Sequence, residues 1–174
     1  MKNRICLLLL SSLTFAAQAT GLDAWYLRPH VGVGVNSQQG TSMMLGLDLG
    51  FKLDDNWRGG VTGHYSSGAH PERDRETGGG VFGSYTLELA EHFVGHVRED
   101  MEYLDMRNPY DPLPTTGVKY KTETGVAATT SVGMTIDFTE NLAIAVGYRY
   151  VLGLTNSDLG DGRSGPTLGL MIGF

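Results

Sequence analysis

The chain is poor in cysteine and in charge, and beyond its first residues it has no long apolar run; each scarcity removes a class of protein. The single cysteine, Cys6, sits near the amino terminus, which argues against disulfide frameworks, cysteine-based metal sites and thiol nucleophiles together. No later segment approaches the 18 or more apolar residues of a membrane helix, so any crossing of a membrane must be made by strands. Thirteen basic residues stand against 19 acidic ones, a formal charge of −6, and this lacks the basic footprint of a nucleic-acid binder. The 25 glycines argue against long helices, because each costs about 1 kcal/mol relative to alanine in a helix interior.

The start, MKNRICLLLLSSLTFAAQAT, joins Lys2 and Arg4 to an apolar run from Ile5 to Phe15 and to the small residues Ala17 and Ala19. It predicts a secretory signal peptide over residues 1–19; a retained amphipathic helix is the alternative. Cleavage after Ala19 leaves residues 20–174 as one domain and removes Cys6. Loss of Lys2 and Arg4 then takes the charge from −6 to −8.

From Trp25 onward a period of two recurs eight times, the signature of strands. Strand one sets Trp25, Leu27, Val31, Val33 and Val35 against Tyr26, Arg28, His30, Gly32 and Gly34, with Pro29 marking a bulge. Strand two alternates most cleanly, with Met43, Leu45, Leu47, Leu49 and Phe51 on one face. Strands three, four and five are expected from Trp57 to Ser66, from Val81 and from Phe93 to Tyr103; six, seven and eight start near Val126, Leu142 and Gly165. In strand five, Glu99 falls on the apolar face, which either a bulge or a position above the apolar band would explain.

Alternation alone does not say which face is inside, because a soluble eight-stranded barrel shows it too. Connection lengths decide. Short turns are expected at 54–56, 90–92 and 139–141, and loops near 36–41, 66–80, 105–123 and 155–165, the arrangement of an outer-membrane barrel. Aromatic residues sort by height as well: Trp25, Phe51, Trp57, Phe93, Phe138 and Phe174 fall at the turn end, while Tyr65, Tyr103, Tyr148 and Tyr150 fall toward the loops. Two such girdles mark the two membrane interfaces. The fold class is therefore all-β, an eight-stranded antiparallel up-and-down transmembrane barrel.

The polar face carries Asp48, Glu88, Asp100, Glu102 and Asp137 with Arg28, Lys52, Arg58, Arg98 and Arg149. Five acids and five bases in a narrow interior imply a paired charge network and a closed lumen, since buried charges need partners and eight strands leave room only for side chains. A small channel is the competing reading.

Two stretches, SVGMTIDFTENLAIAVGYRY and the closing GPTLGLMIGF with its terminal Phe174, resemble the small eight-stranded outer-membrane proteins of the OmpX, Ail and opacity-protein type, which share the design of the OmpA transmembrane domain. The resemblance implies a bacterial outer-membrane location and insertion by the outer-membrane assembly machinery through the C-terminal strand. It also implies contact with outer-membrane lipids and lipopolysaccharide, and external loops that serve surface binding, adhesion or envelope integrity. It implies no shared activity.

The enzymatic alternative rests on His64-Tyr65-Ser66, which resembles the His-x-Ser motif of lipid A deacylases, with Glu76 or Glu72 as the acid of a serine-histidine-acid set. The motif sits at the top of strand three and not near the C-terminus, and Ser67 stands where those enzymes have Asn. His92 and His96 would share a metal on a helix, but on a strand they lie about 13 Å apart at roughly 3.3 Å per residue; no metal or other cofactor is expected. The charged run from His70 to Glu76 reads as a solvated loop or a lipopolysaccharide or host contact. Tyr110, Leu113 and Tyr120, among three prolines, are the candidates for binding a host or environmental surface ligand, or else a cap over the barrel mouth.

Overall fold

The computed structural model describes residues 25–36, 40–68, 75–110, 119–155 and 163–174, so the expected leader lies outside the described residues. Among the described residues the secondary structure is eight strands: β1 (Trp25–Asn36), β2 (Gly40–Lys52), β3 (Trp57–Ser67), β4 (Arg75–Ala90), β5 (Phe93–Tyr110), β6 (Lys119–Thr139), β7 (Leu142–Gly153) and β8 (Ser164–Gly173). Each pairs antiparallel with the next and β8 pairs with β1, closing the barrel.

The register sets the barrel's shape. Following paired residues around the sheet leads from Trp25 through Phe51, Gly59, Gly83, Glu99, Thr130, Tyr150 and Ser164 back to β1 at Val35, ten residues from the start. A stagger of that size on eight strands tilts them by about 40° and leaves a bore that side chains fill. Valines, leucines and methionines face outward: Val31, Met43, Leu45, Leu47, Val81, Met101, Val132 and Leu168 are all exposed. Inward positions instead bury Asp48, Arg98, Asp100 and Glu102. This inversion of a soluble core suits an apolar solvent outside.

The turns follow local chemistry. Asp54 Oδ1 accepts from the Asn56 and Trp57 backbone N–H groups at 2.8 and 2.7 Å, closing the first turn. Lys52 Nζ donates to Asp55 Oδ1 at 2.9 Å and holds that carboxyl below its ordinary range. The second turn forces His92 to a φ of 68°, beside a register shift between Glu88 and Ala90. Glycine takes that conformation without steric cost. His92→Gly should therefore raise unfolding stability by about 0.5–1 kcal/mol, read as a higher urea midpoint; an unchanged or lower midpoint would show that no strain resides there.

Several expected boundaries move. Strand β4 begins at Arg75 and not near Val81, and β6 begins at Lys119 and not near Val126, so two expected loops are largely paired hairpin. The glycines that suggested a loop are places of close approach: a Cβ on Gly78 would lie 2.4 Å from the His64 ring, and one on Gly80 would lie 2.0 Å from the Met101 carbonyl oxygen. The connection expected at 36–41 shrinks to residues 37–39, because β1 and β2 pair as far as Asn36 and Gly40. Pro29 makes no bulge; its register to β2 is unbroken, and pairing to β8 keeps one register on either side of it. Glu99 likewise needs no bulge, since β5 runs against β6 without a shift.

Candidate functional site

The lumen is built by inward parity on all eight strands. At its centre, Asp48 is fully buried and accepts from Arg28 Nε at 2.7 Å and from Arg98 Nη1 at 2.5 Å. Arg98 turns its Nε to Asp100 Oδ1 at 2.7 Å and lies 3.9 Å above the Phe82 ring. Hydrogen bonding and a π face together satisfy this buried guanidinium.

Toward the loop end a second cluster forms. His64 Nε2 donates to Glu76 Oε1 at 3.2 Å, while its Nδ1 stands 3.3 Å from Glu102 Oε1. Arg163 pairs with the other Glu76 oxygen, and Arg149 and Thr129 approach Glu102 Oε2 at 3.5 and 2.9 Å. Beside them Leu104, Met106, Ala127 and Val151 form a buried apolar cluster, Met106 paired with Glu76 and Ala127 with Glu102. The cavity between Arg28, Arg98, Asp100 and Arg149 has a volume of 40 Å³, room for a few waters at roughly 10–15 Å³ each. A wider vestibule of 470 Å³ opens at the turn end, lined by Tyr26, Arg58, His92 and Asp137.

Of the ten expected lumen charges, Arg28, Asp48, Arg98, Asp100, Glu102 and Arg149 come together. Arg58 lies 5.8 Å from the Tyr26 ring, and with Asp137 it lines the vestibule. Lys52 lines the same vestibule, its exposed ammonium held by Asp55. Glu88 does not join: parity places it on the inner face, but it is exposed near its strand end, where water solvates it. Glu76, Glu123, His64 and Arg163 are buried inside without having been counted. Three of these fall within segments read as loops, and only extending the two-residue period backward through Gly78 and Gly165 would have found Glu76 and Arg163.

The turn-end aromatic ring is assembled by packing. Trp25 meets Phe51, and Trp57 meets Tyr85, each pair at 5.2 Å between ring centroids. Phe93, Phe138 and Phe174 are exposed beside them, and Tyr65, Tyr103, Tyr148 and Tyr150 are exposed toward the other end. The Phe174 N–H donates to the Trp25 carbonyl at 3.0 Å, fastening the last residue to the first strand. His64, Ser66 and Glu76 all face the lumen, and His92 stands in a turn away from His96. Tyr110 and Tyr120 lie on the paired end of the β5–β6 hairpin; Leu113 and the side chains of both tyrosines lie outside the described residues.

A closed, all-antiparallel eight-stranded barrel with a polar, plugged bore and an apolar exterior is the fold of the small outer-membrane barrels. Solved members of that class superpose over most of the chain. The N-terminal β-barrel domain of Pseudomonas aeruginosa OprF matches at a TM-score of 0.66 and 14% identity, covering 89% of this chain and 100% of that one. Neisserial surface protein A matches at 0.67 and 14%, over 86% and 96%. Ail, the attachment invasion locus protein of Yersinia pestis, matches at 0.52 and 10%, over 87% and 97%. No protein-family model matches the chain, and no curated protein matches it in sequence.

Proposed function

We propose that the chain is a bacterial outer-membrane barrel, sealed by its lumen charges, whose β5–β6 hairpin acts at the cell surface in binding or adhesion. One observation carries this reading. β5 has 18 residues and β6 has 21, against 12 in β1 and β7, and pairing continues to Tyr110 opposite Lys119. About 9–11 tilted residues cross a bilayer, so the remainder forms a stiff β arm beyond the band. Such an arm holds Tyr110 and Lys119, where its two strands end, at a fixed spacing, which favours recognition over mere coverage of the barrel mouth. The attachment named for Ail is consistent with a surface role on this fold. Lipids and lipopolysaccharide meet the apolar wall, and the strand ending at Phe174 is the segment offered to the assembly machinery.

The same geometry gives the hydrolase alternative little support. The described contacts of His64 are with Glu76 and Glu102 and none is with Ser66, and Ser66 is buried in the bore away from lipid. A general base must face its nucleophile.

Deleting residues 107–121 tests the surface reading. A non-adherent Gram-negative host displaying the full barrel should bind cultured epithelial cells, and the deletion should lower that binding at least tenfold while heat-modifiable gel migration persists. Equal binding by both forms would remove the hairpin from the account.

A further inference from the structure

The register that closes the barrel also fixes the height of Glu99. The row from Trp25, in the turn-end aromatic ring, climbs to Val35 over one circuit, and Glu99 is four strands along. It therefore stands about 12 Å above Trp25, at roughly 3.3 Å per residue and a tilt of about 40°, midway up an apolar band about 25 Å tall. Its side chain points outward between Val97 and Met101, both exposed. An ionisable side chain at mid-height on a lipid-facing wall is unfavourable and marks a functional contact.

Its surroundings are asymmetric. On the β6 side Thr130 Oγ1 donates to Glu99 Oε2 at 2.9 Å. On the β4 side its partner is Gly83, where an added Cβ would meet nothing within 4 Å; Gly59 lies next in the same row. A polar knob and an open notch thus sit side by side at nearly one height.

The geometry points to a second copy of this chain as the occupant, docked wall to wall through β4 and β5. A two-fold axis parallel to the barrel axis preserves height, so it lays Glu99 of each copy over Gly83 of the other, an isologous contact. Each Glu99 side chain then enters the notch of the other copy, withdrawn from lipid and still accepting from its own Thr130. Bare glycine backbone lets the walls approach closely, as small residues do in membrane interfaces. This rests on the outer-membrane reading given above.

Residues 20–174 hold no cysteine, so single cysteines placed there in the leaderless barrel report proximity cleanly. Val81→Cys, next to the notch, and Val31→Cys, on the opposite wall at similar height, are refolded into lipopolysaccharide-phospholipid vesicles and oxidised. Val81→Cys should give disulfide-linked dimers at least tenfold more than Val31→Cys. Adding Glu99→Leu or Gly83→Leu should each remove that excess; Glu99→Leu makes the wall more apolar, so its loss of dimer is not a loss of insertion. Equal cross-linking at both positions, persistence of the dimer in Glu99→Leu, or capture of a different protein by Val81→Cys in native membranes overturns the proposal. Failure of the unsubstituted barrel to insert or to show heat-modifiable migration would instead overturn the outer-membrane reading.

Discussion

Asp48→Leu is expected to cost the barrel about 3–5 kcal/mol, the range for breaking a buried ion pair by removing one partner. Asp48 is the hub of the central network: Arg28 reaches it through Nε at 2.7 Å and Nη2 at 2.6 Å, and Arg98 through Nη1 at 2.5 Å and Nη2 at 3.3 Å. Without it Arg28 keeps no carboxylate partner among its described contacts, and Arg98 keeps only Asp100. A cavity of 40 Å³ admits only a few waters, fewer than the hydration shells of two guanidinium groups. Asp48→Asn preserves the shape and one acceptor, so its loss should be smaller. Combining Asp48→Leu with Arg28→Leu and Arg98→Leu should recover much of the stability, because an apolar replacement of a whole buried cluster is often near neutral.

Trp25 and Trp57, the two tryptophans of the chain, lie in the turn-end ring and report unfolding by fluorescence in a urea titration of vesicle-embedded barrel. A loss under about 1 kcal/mol for Asp48→Leu would mean that water reaches the arginines. The bore would then be wet, and the channel reading would gain what the closed lumen loses.

Much of this arrangement can be read along the chain, since a period of two shows both where a strand lies and which residues share a face. Phe51 and Trp57 are placed at one end by their distance from the Asp54 turn, and Trp25 by its position at the start of strand one. What parity does not supply is height and partner. Asp48 and Arg98 are 50 residues apart, and Glu76 and Arg163 are 87 apart; they meet because closure with a ten-residue stagger brings them level, and that stagger is a property of the closed sheet. The same gap in information leaves Glu88 assigned to the lumen and Glu99 without a level. Glycine misled in a separate way. Gly78, Gly79 and Gly80 look like a loop, whereas they are β4 positions, two of which lack the room for a side chain because of the His64 ring and the β5 backbone.

Gly165→Val is expected to prevent closure. A Cβ on Gly165 would fall 1.6 Å from the Val33 carbonyl oxygen and 2.7 Å from its carbon, both in the backbone of β1, so no rotamer change relieves the overlap. Strands β8 and β1 would have to separate where Val35 pairs with Ser164 and Val31 with Leu168. This seam joins the two ends of the chain, so it has the longest loop closure of any pairing and little local structure to hold it. Overpacking that shifts backbone costs about 3 kcal/mol or more. Opening the seam adds unpaired edge groups that an apolar solvent cannot satisfy. The folded, heat-modifiable band should therefore fall at least tenfold and protease sensitivity should rise. Gly83→Ala is the matched control: it also lies in a strand, yet an added Cβ there meets nothing within 4 Å, and its folded yield should equal that of the unsubstituted chain. Normal closure of Gly165→Val would show that the β1–β8 spacing is wider than this register requires, and the tight seam would no longer explain why glycine occupies that position.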